Sequence, residues 1–378
     1  MSFIVFSQVP PLSDPHHPFF NPAKLPLTEG GFSRDEVRLA NRNQGTLLES
    51  LRYDLTPAGL HYLLIHFDVP FVASPDDWTL SIGGLVERPL ELSLADLKQR
   101  PLRSMPVTLE CAGNGRAEVV PRYQSQPWHH EAVGTAEWTG TPLKGLLEQA
   151  GISDGAVDVV FYGADRGFGG GKEHDYGRSL SPAQAGEDDI LVVWAMNGAP
   201  LPPQHGFPLR LVVPGWYGMA SVKWLNRVEV IDRAFDGHQQ VGTYVYRSNA
   251  EDPGTPVTTM RVKSVMVPPG MPDAYSRSRL VDQGPVELFG RAWSGDGVGI
   301  AKVEVAIDGQ WQAATLEPEL GKHAWRGWSC HWQATPGEHE LMCRATDANG
   351  DVQPLDARFD YSGFGNNAVQ RLNVTVRA

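Results

Sequence analysis

The residues best suited to chemistry gather around one cysteine. Cys111 lies in Thr108-Leu-Glu-Cys-Ala-Gly-Asn-Gly-Arg116, after a run beginning at Val107 and before a glycine-containing turn. A strand that ends in such a turn exposes its last side chains and amides. Arg116, five residues on, can favour the thiolate or hold an anion beside it. A lone cysteine is otherwise a small inert hydrophobe, and the Gly-Asn-Gly-Arg that follows argues for the reactive reading.

A second group flanks a short apolar run: His205-Gly-Phe-Pro-Leu-Arg210 before it and Ser221-Val-Lys223 after it. His, Arg, Ser and Lys at both ends of a strand suit a cleft for a phosphate or polar cofactor. The alternative is a charged surface around a core strand. Gly163-Ala-Asp165-Arg166-Gly-Phe-Gly-Gly-Gly-Lys172 has the composition of a phosphate loop but neither the Gly-x-x-x-x-Gly-Lys-Ser/Thr nor the Gly-x-Gly-x-x-Gly spacing. It reads as a flexible loop beside a site. His129, His130, Glu173 and His174 are metal ligands by type, yet adjacent strand histidines point to opposite faces, so a surface role is expected. No Gly-x-Ser-x-Gly elbow localises a hydrolase triad.

Several elements must position these groups. Ser33 and Glu36 match a capping box for a short helix, and Ser93 caps another. Thr141 to Gly151 predicts a helix with an N-cap, Pro at its first position and Gly past its end. Alternation after Trp78 and apolar runs at 157–162, 190–194, 209–213 and 228–231 predict strands of one mixed domain. Glu251-Asp-Pro-Gly-Thr-Pro256 is the clearest linker. Beyond it, short alternating strands at 286–293, 301–307, 311–315, 338–345 and 369–376, with Asp308-Gly309 as a hairpin turn, predict an immunoglobulin-like β-sandwich. The expected organisation is an N-terminal arm over 1–60, a mixed domain over 61–250 and a sandwich over 256–378.

The 378 residues suffice for two cores, and 32 Lys plus Arg against 44 Asp plus Glu leave a net charge of -12. That balance disfavours nucleic acid or an anionic membrane as the main partner, while leaving room for a local basic pocket. Forty Gly, 30 Pro and 11 Trp predict many turns and a strand-rich α+β protein. Three cysteines form no disulfide framework and no zinc spacing. The N-terminus has no export signature and the sequence no apolar run long enough to span a bilayer, so a cytoplasmic protein is expected, or a periplasmic one if a leader is removed.

Leu109-Glu-Cys-Ala-Gly-Asn-Gly-Arg116, Trp194-Ala-Met-Asn-Gly198, His205-Gly-Phe-Pro-Leu-Arg210 and Ser221-Val-Lys-Trp224, in that order, resemble the molybdenum-binding domain of the sulfite oxidase family, which includes plant nitrate reductases. Asp347-Ala-Asn-Gly-Asp-Val-Gln-Pro354 and Asn366-Asn-Ala-Val-Gln-Arg371 are similar to its immunoglobulin-like dimerisation domain, so the resemblance covers roughly residues 60 to 378.

The resemblance implies an α+β chain with a mixed α/β molybdopterin-binding domain of the sulfite oxidase fold, then an immunoglobulin-like β-sandwich, working as a homodimer. It implies molybdenum and molybdopterin as cofactors, with Cys111 joining the two dithiolene sulfurs on the metal; soft sulfur suits that metal. His66, Asp165, His205, Arg210, Ser221, Val222 and Lys223 match positions that bind the pterin or its phosphate. Arg116 matches an arginine that faces an oxyanion substrate, Trp128 a pocket aromatic, and Tyr244 the active-site tyrosine, with Tyr246 as the rival alignment.

The implied reaction is two-electron oxygen-atom transfer, most simply sulfite to sulfate. No haem, flavin or dinucleotide motif appears, so electrons are expected to leave to a separate acceptor such as a cytochrome. Leu64 and Ser362 stand where family arginines are expected, and fewer positive charges hold a dianion less strongly. A sulfoxide- or nitrate-type substrate therefore stays open, as does a non-enzymatic binding protein.

Overall fold

A computed structural model of the chain describes residues 33–378 apart from Tyr275. Of the expected N-terminal arm, residues 1–32 lie outside the described residues. The remainder is tied closely to the body of the protein. The capping box at Ser33 and Glu36 forms as expected and starts a helix, Arg34–Arg42, whose buried Glu36 pairs with the buried guanidinium of Arg122.

The first unit is built from two sheets. One runs in the order Leu90–Ser93, Thr79–Gly84, Leu225–Ile231, Asp158–Gly169, Lys172–Leu180, and only its Thr79–Gly84 and Leu225–Ile231 pair is parallel. The other places Arg103–Glu110 beside Val133–Pro142 and then Leu191–Met196, which also pairs with Arg210–Val212. Leu80, Ile82, Leu143, Leu147, Phe161, Val192 and Leu211 form one core shared by both sheets and the helices Leu94–Lys98 and Leu143–Ala150. The apolar runs read from the sequence are the buried strands of this core, as continuous burial on both faces demands.

Two expectations change. Thr141 is not the N-cap: Thr141 and Pro142 still pair with Val192 and Leu191, so Pro142 takes the N-cap position and the helix starts at Leu143 without a side-chain cap. The glycine-rich stretch from Gly163 is not a flexible loop. It is the tip of a hairpin turning at Gly170 and Gly171, whose strands continue past a bulge between Tyr162 and Arg166. Arg166 holds the hairpin shut through Glu173 at 2.9 Å and Asp175 at 2.7 Å.

The second unit packs a four-stranded sheet, in the order Lys263–Met266, Gly284–Trp293, Arg326–Ala334, Thr315–Leu316, against a six-stranded one containing Ile300–Ile307, Gly337–Asp347 and Arg371–Arg377. Met266, Leu288, Val303, Val305, Trp328, Cys343 and Val374 fill the space between them. This is the expected immunoglobulin-like sandwich, with the hairpin at Asp308 and Gly309 in place between Ile300–Ile307 and Gln310–Ala313. Among the described residues no helix is long and apolar enough to cross a membrane.

The two units share a core in which Ala112, Val133, Tyr217 and Tyr244 from the first meet Val265, Trp293, Trp325 and Phe364 from the second. A buried polar knot lies inside it. Glu110 accepts from the Trp293 indole N–H and the Asn114 amide, both at 2.9 Å, and stands 3.3 Å from the Lys263 ammonium. Lys263 in turn donates to the carbonyls of Asn114 at 3.2 Å and Asn366 at 2.9 Å. Removing one partner of such a pair leaves a buried charge, which costs about 3–5 kcal/mol. Lys263→Met should therefore lower the unfolding free energy in urea by that order, and Glu110→Gln added to it should recover part of the loss. Equal stability of the single variant and the wild type would contradict this reading.

Candidate functional site

Cys111 closes the strand Arg103–Glu110 and enters the turn expected from the sequence. Its amide donates to Ala132 at 2.9 Å, and its carbonyl accepts from Asn114 at 2.9 Å. The sulfur stands in a wall shared by two clefts, both of which are also lined by Leu64, His66 and Tyr244. Burial raises the thiol pKa, and Arg116, the Gly113 amide and the Trp128 indole oppose that rise. Among the described residues no group of three or more His, Cys, Asp or Glu side chains could hold a metal, so the protein offers a metal at this point one sulfur.

The inner cleft collects residues far apart in sequence: His61, Tyr62, His66, Asp165, Tyr176, His205, Arg210, Ser221 and Lys223. Arg210 is buried and donates only to carbonyls, those of His205 and Ser221 at 3.0 Å and Leu211 at 3.4 Å. Lys223 donates to the carbonyls of Leu64 at 2.8 Å and Gln204 at 3.0 Å. Neither cation has a carboxylate within ion-pair distance among the described residues. Desolvation pushes Arg210 down to about 10, and desolvation with the Arg210 charge pushes Lys223 down to about 7.

Asp165 reaches this cleft from the hairpin bulge, which re-aims its side chain. Gly163 permits the approach, because a Cβ there would stand 2.4 Å from the Asp165 Oδ1 and 2.5 Å from the Lys223 carbonyl oxygen. Burial raises Asp165 to about 7, and its Oδ1 has no partner. His205 is driven by burial down to about 2 and is neutral, its ring edge-to-face with His61 at 5.5 Å. Buried cations without counterions stand beside an unpartnered carboxyl oxygen and the unpartnered His61 Nε2. A polar ligand bearing a phosphate would satisfy these groups.

The outer cleft carries Arg42, Arg116 and Arg247 with Tyr123, Trp128, Tyr361 and Phe364. No Asp or Glu is among its described lining residues. Arg116 is buried, donates to the Ser362 carbonyl at 3.1 Å and the Gln126 carbonyl at 3.4 Å, and lies 4.9 Å from the Phe364 ring centre. Gly113 makes room for it, since a Cβ there would meet its guanidinium at 2.8 Å. Tyr244 and His66 are joined by a 2.6 Å hydrogen bond; burial keeps the phenol protonated and lowers the imidazole to about 3, so both are neutral.

Most residues singled out in the sequence thus meet at one place. Tyr244 lines both clefts, whereas Tyr246 lines neither and packs under Arg261, 4.6 Å from its ring. Leu64 and Ser362 do face the clefts without charge. Val222 differs: its side chain is buried in the core, and its amide and carbonyl bond Ala220 and Leu211. The surface role expected for the His129 pair holds for His129, which meets Glu118, but not for His130, which is buried and held to about 3 by desolvation.

Sequence reasoning missed His61, Tyr62, Tyr176 and Arg178. Arg178 is fully buried, donates to the Gln239 and Val257 carbonyls and lies 5.8 Å from the Tyr244 ring. Alternation of Tyr176 and Arg178 along one strand was the available signal.

Below pH 7 the inner cleft has a charged Lys223 and a neutral Asp165; above it, Lys223 loses its positive charge and Asp165 gains a negative one, and both changes weaken the hold on an anion. Inorganic phosphate should bind the metal-free protein more weakly as pH rises from 6 to 8, by calorimetry, beyond the change due to phosphate's own ionisation. A profile identical in wild type and Lys223→Met would contradict this.

The family model described as oxidoreductase molybdopterin binding domain matches residues 66–239, and that of the Mo-co oxidoreductase dimerisation domain matches residues 255–377. The sulfite oxidase of Gallus gallus is 36% identical over 323 residues, 79% of this chain and 68% of that protein. The NADH nitrate reductase of Solanum lycopersicum is 34% identical over 357 residues, 85% of this chain, and the chain spans only 38% of its length. The crystal structure of the sulfane dehydrogenase SoxCD from Paracoccus pantotrophus superposes with a TM-score of 0.76 at 25% identity, covering 98% of this chain and 99% of that one. The inner cleft, with its unpartnered polar atoms and buried cations beside a single sulfur, fits the molybdenum cofactor these matches imply. With both domains present in order and a sulfite oxidase aligned over most of its length, the chain belongs to the sulfite oxidase family of molybdopterin-dependent oxidoreductases.

Proposed function

We propose that this molybdoenzyme oxidises sulfite to sulfate and that Cys111 is the protein's sulfur ligand to molybdenum. The observation that carries the reading is the position of the Cys111 sulfur, between an inner cleft suited to a pterin phosphate and an outer cleft with arginines and no described carboxylate. The overall change is sulfite plus water giving sulfate, two protons and two electrons. When bound, the cofactor supplies the two-electron redox centre and the transferable oxygen.

The chain's own residues do the rest. Arg210 and Lys223 neutralise the phosphate, Asp165, His205 and Ser221 hydrogen-bond the pterin, and His66 stands at the junction of the clefts. Arg116 is fixed by two carbonyls and a Phe364 face, so it offers the substrate a preorganised charge with no reorganisation. Tyr244 and His66 hold a proton between neutral partners beside the sulfur, and Trp128 excludes water. The second domain joins two copies into a homodimer, and electrons leave to a separate acceptor such as a cytochrome.

Nitrate reduction is the second reading, favoured by the similar identity to nitrate reductases and by uncharged Leu64 at the junction of the clefts. Molybdenum-loaded protein should reduce ferricyanide with sulfite, while reduced viologen should not be consumed with nitrate; the opposite pattern sinks the sulfite reading. Cys111→Ser should lower sulfite turnover by at least about 10³-fold, the scale of losing a group essential to the transition state. Near-wild-type turnover in that variant would contradict the ligand assignment.

A further inference from the structure

We infer that Arg42, the last residue of the helix Arg34–Arg42, is a specificity-determining residue that holds the anionic substrate over the outer cleft, where Leu64 and Ser362 carry no charge. This rests on the proposed oxidation of a sulfur oxyanion. Arg42 lines the cleft beside Arg116 and Arg247. The other two guanidiniums are partly engaged: Arg116 by the Ser362 and Gln126 carbonyls, and Arg247 by the Val241 carbonyl at 3.2 Å. The Arg42 side chain is exposed and makes no hydrogen bond or ion pair with any described residue, so its whole planar donor fork is available.

Its position is fixed although its head is free. The helix that carries it is closed at its start by the Ser33 and Glu36 capping box and clamped through Glu36 to Arg122. Immediately after Arg42, the Asn43 Oδ1 accepts the Ile65 amide at 2.8 Å, and its Nδ2 donates to Gln126 Oε1 at 3.0 Å. Those bonds tie the helix end to the segment bearing Leu64 and His66 and to the loop bearing Trp128. The Arg42 charge is close enough to His66 to help depress its imidazole. An anion entering toward Cys111 therefore meets Arg42 at the mouth and Arg116 within.

The same helix provides a control. Arg38 is exposed and pairs with Asp35 at 3.3 Å, and it does not line the cleft. Sulfate, the non-reacting product, should be titrated by calorimetry into molybdenum-loaded wild type, Arg42→Ala, Arg42→Lys and Arg38→Ala at constant ionic strength. Loss of one charge-assisted contact in a partly solvated cleft predicts roughly five- to tenfold weaker binding for Arg42→Ala. Arg42→Lys should lie between, and Arg38→Ala should match wild type. KM for sulfite should rise by the same factor with kcat unchanged, as loss of uniform binding requires. Wild-type affinity in Arg42→Ala, an equal loss in Arg38→Ala, or no sulfate binding by the wild type would each overturn the assignment. Arg42-dependent sulfate binding without sulfite turnover would sustain the anion site and remove sulfite as the substrate.

Discussion

Everything at this site hangs on the buried contact between Glu110 and Lys263. Glu110 immediately precedes Cys111, and Lys263 begins the first strand of the second unit, paired there with Trp293. A buried ion pair contributes little net stability unless its remaining donors and acceptors are satisfied. Here they are: the Trp293 indole and Asn114 amide complete the carboxylate, and two carbonyls complete the ammonium. Because one of those carbonyls belongs to Asn114, the knot fixes the turn that carries Cys111 as well as the interface. The sandwich is therefore part of the site's scaffold. It also supplies the Ser362 carbonyl and the Phe364 ring that hold Arg116.

Charge is distributed against the average of the chain. With a net charge of -12, the protein still concentrates cations without carboxylate partners in two adjoining clefts. Such a local field attracts anions from solution even when the whole molecule is acidic. The two clefts differ in how they hold charge. The inner one buries Arg210 and Lys223 against carbonyls, at a cost in solvation that a bound phosphate would offset. The outer one leaves part of its charge near solvent, where a substrate must come and go.

Much of this was legible in the residues themselves. Cys111 ends a strand before a turn, and the groups flanking the Arg210 strand converge because a short buried strand delivers both its ends to one cleft. What was hidden depends on contacts between distant segments. The stretch from Gly163 looked like a loop because its glycines dilute the alternation, yet cross-strand pairs through Arg166 close it as a hairpin. His130 looked like half of an exposed pair, but the turn before Val133 carries it inward. The helix Arg34–Arg42 was legible from its capping box, while its place at the outer cleft is fixed by Glu36, Asn43 and partners some 80 residues away.

The central claim is that the Cys111 sulfur binds the metal. X-ray absorption at the molybdenum edge, recorded on wild type and Cys111→Ser loaded with the same cofactor, tests it most directly. A thiolate ligand beside the two pterin sulfurs predicts a third sulfur scatterer in the wild type that an oxygen or nitrogen scatterer replaces in the variant. An identical sulfur shell in both proteins would contradict the account.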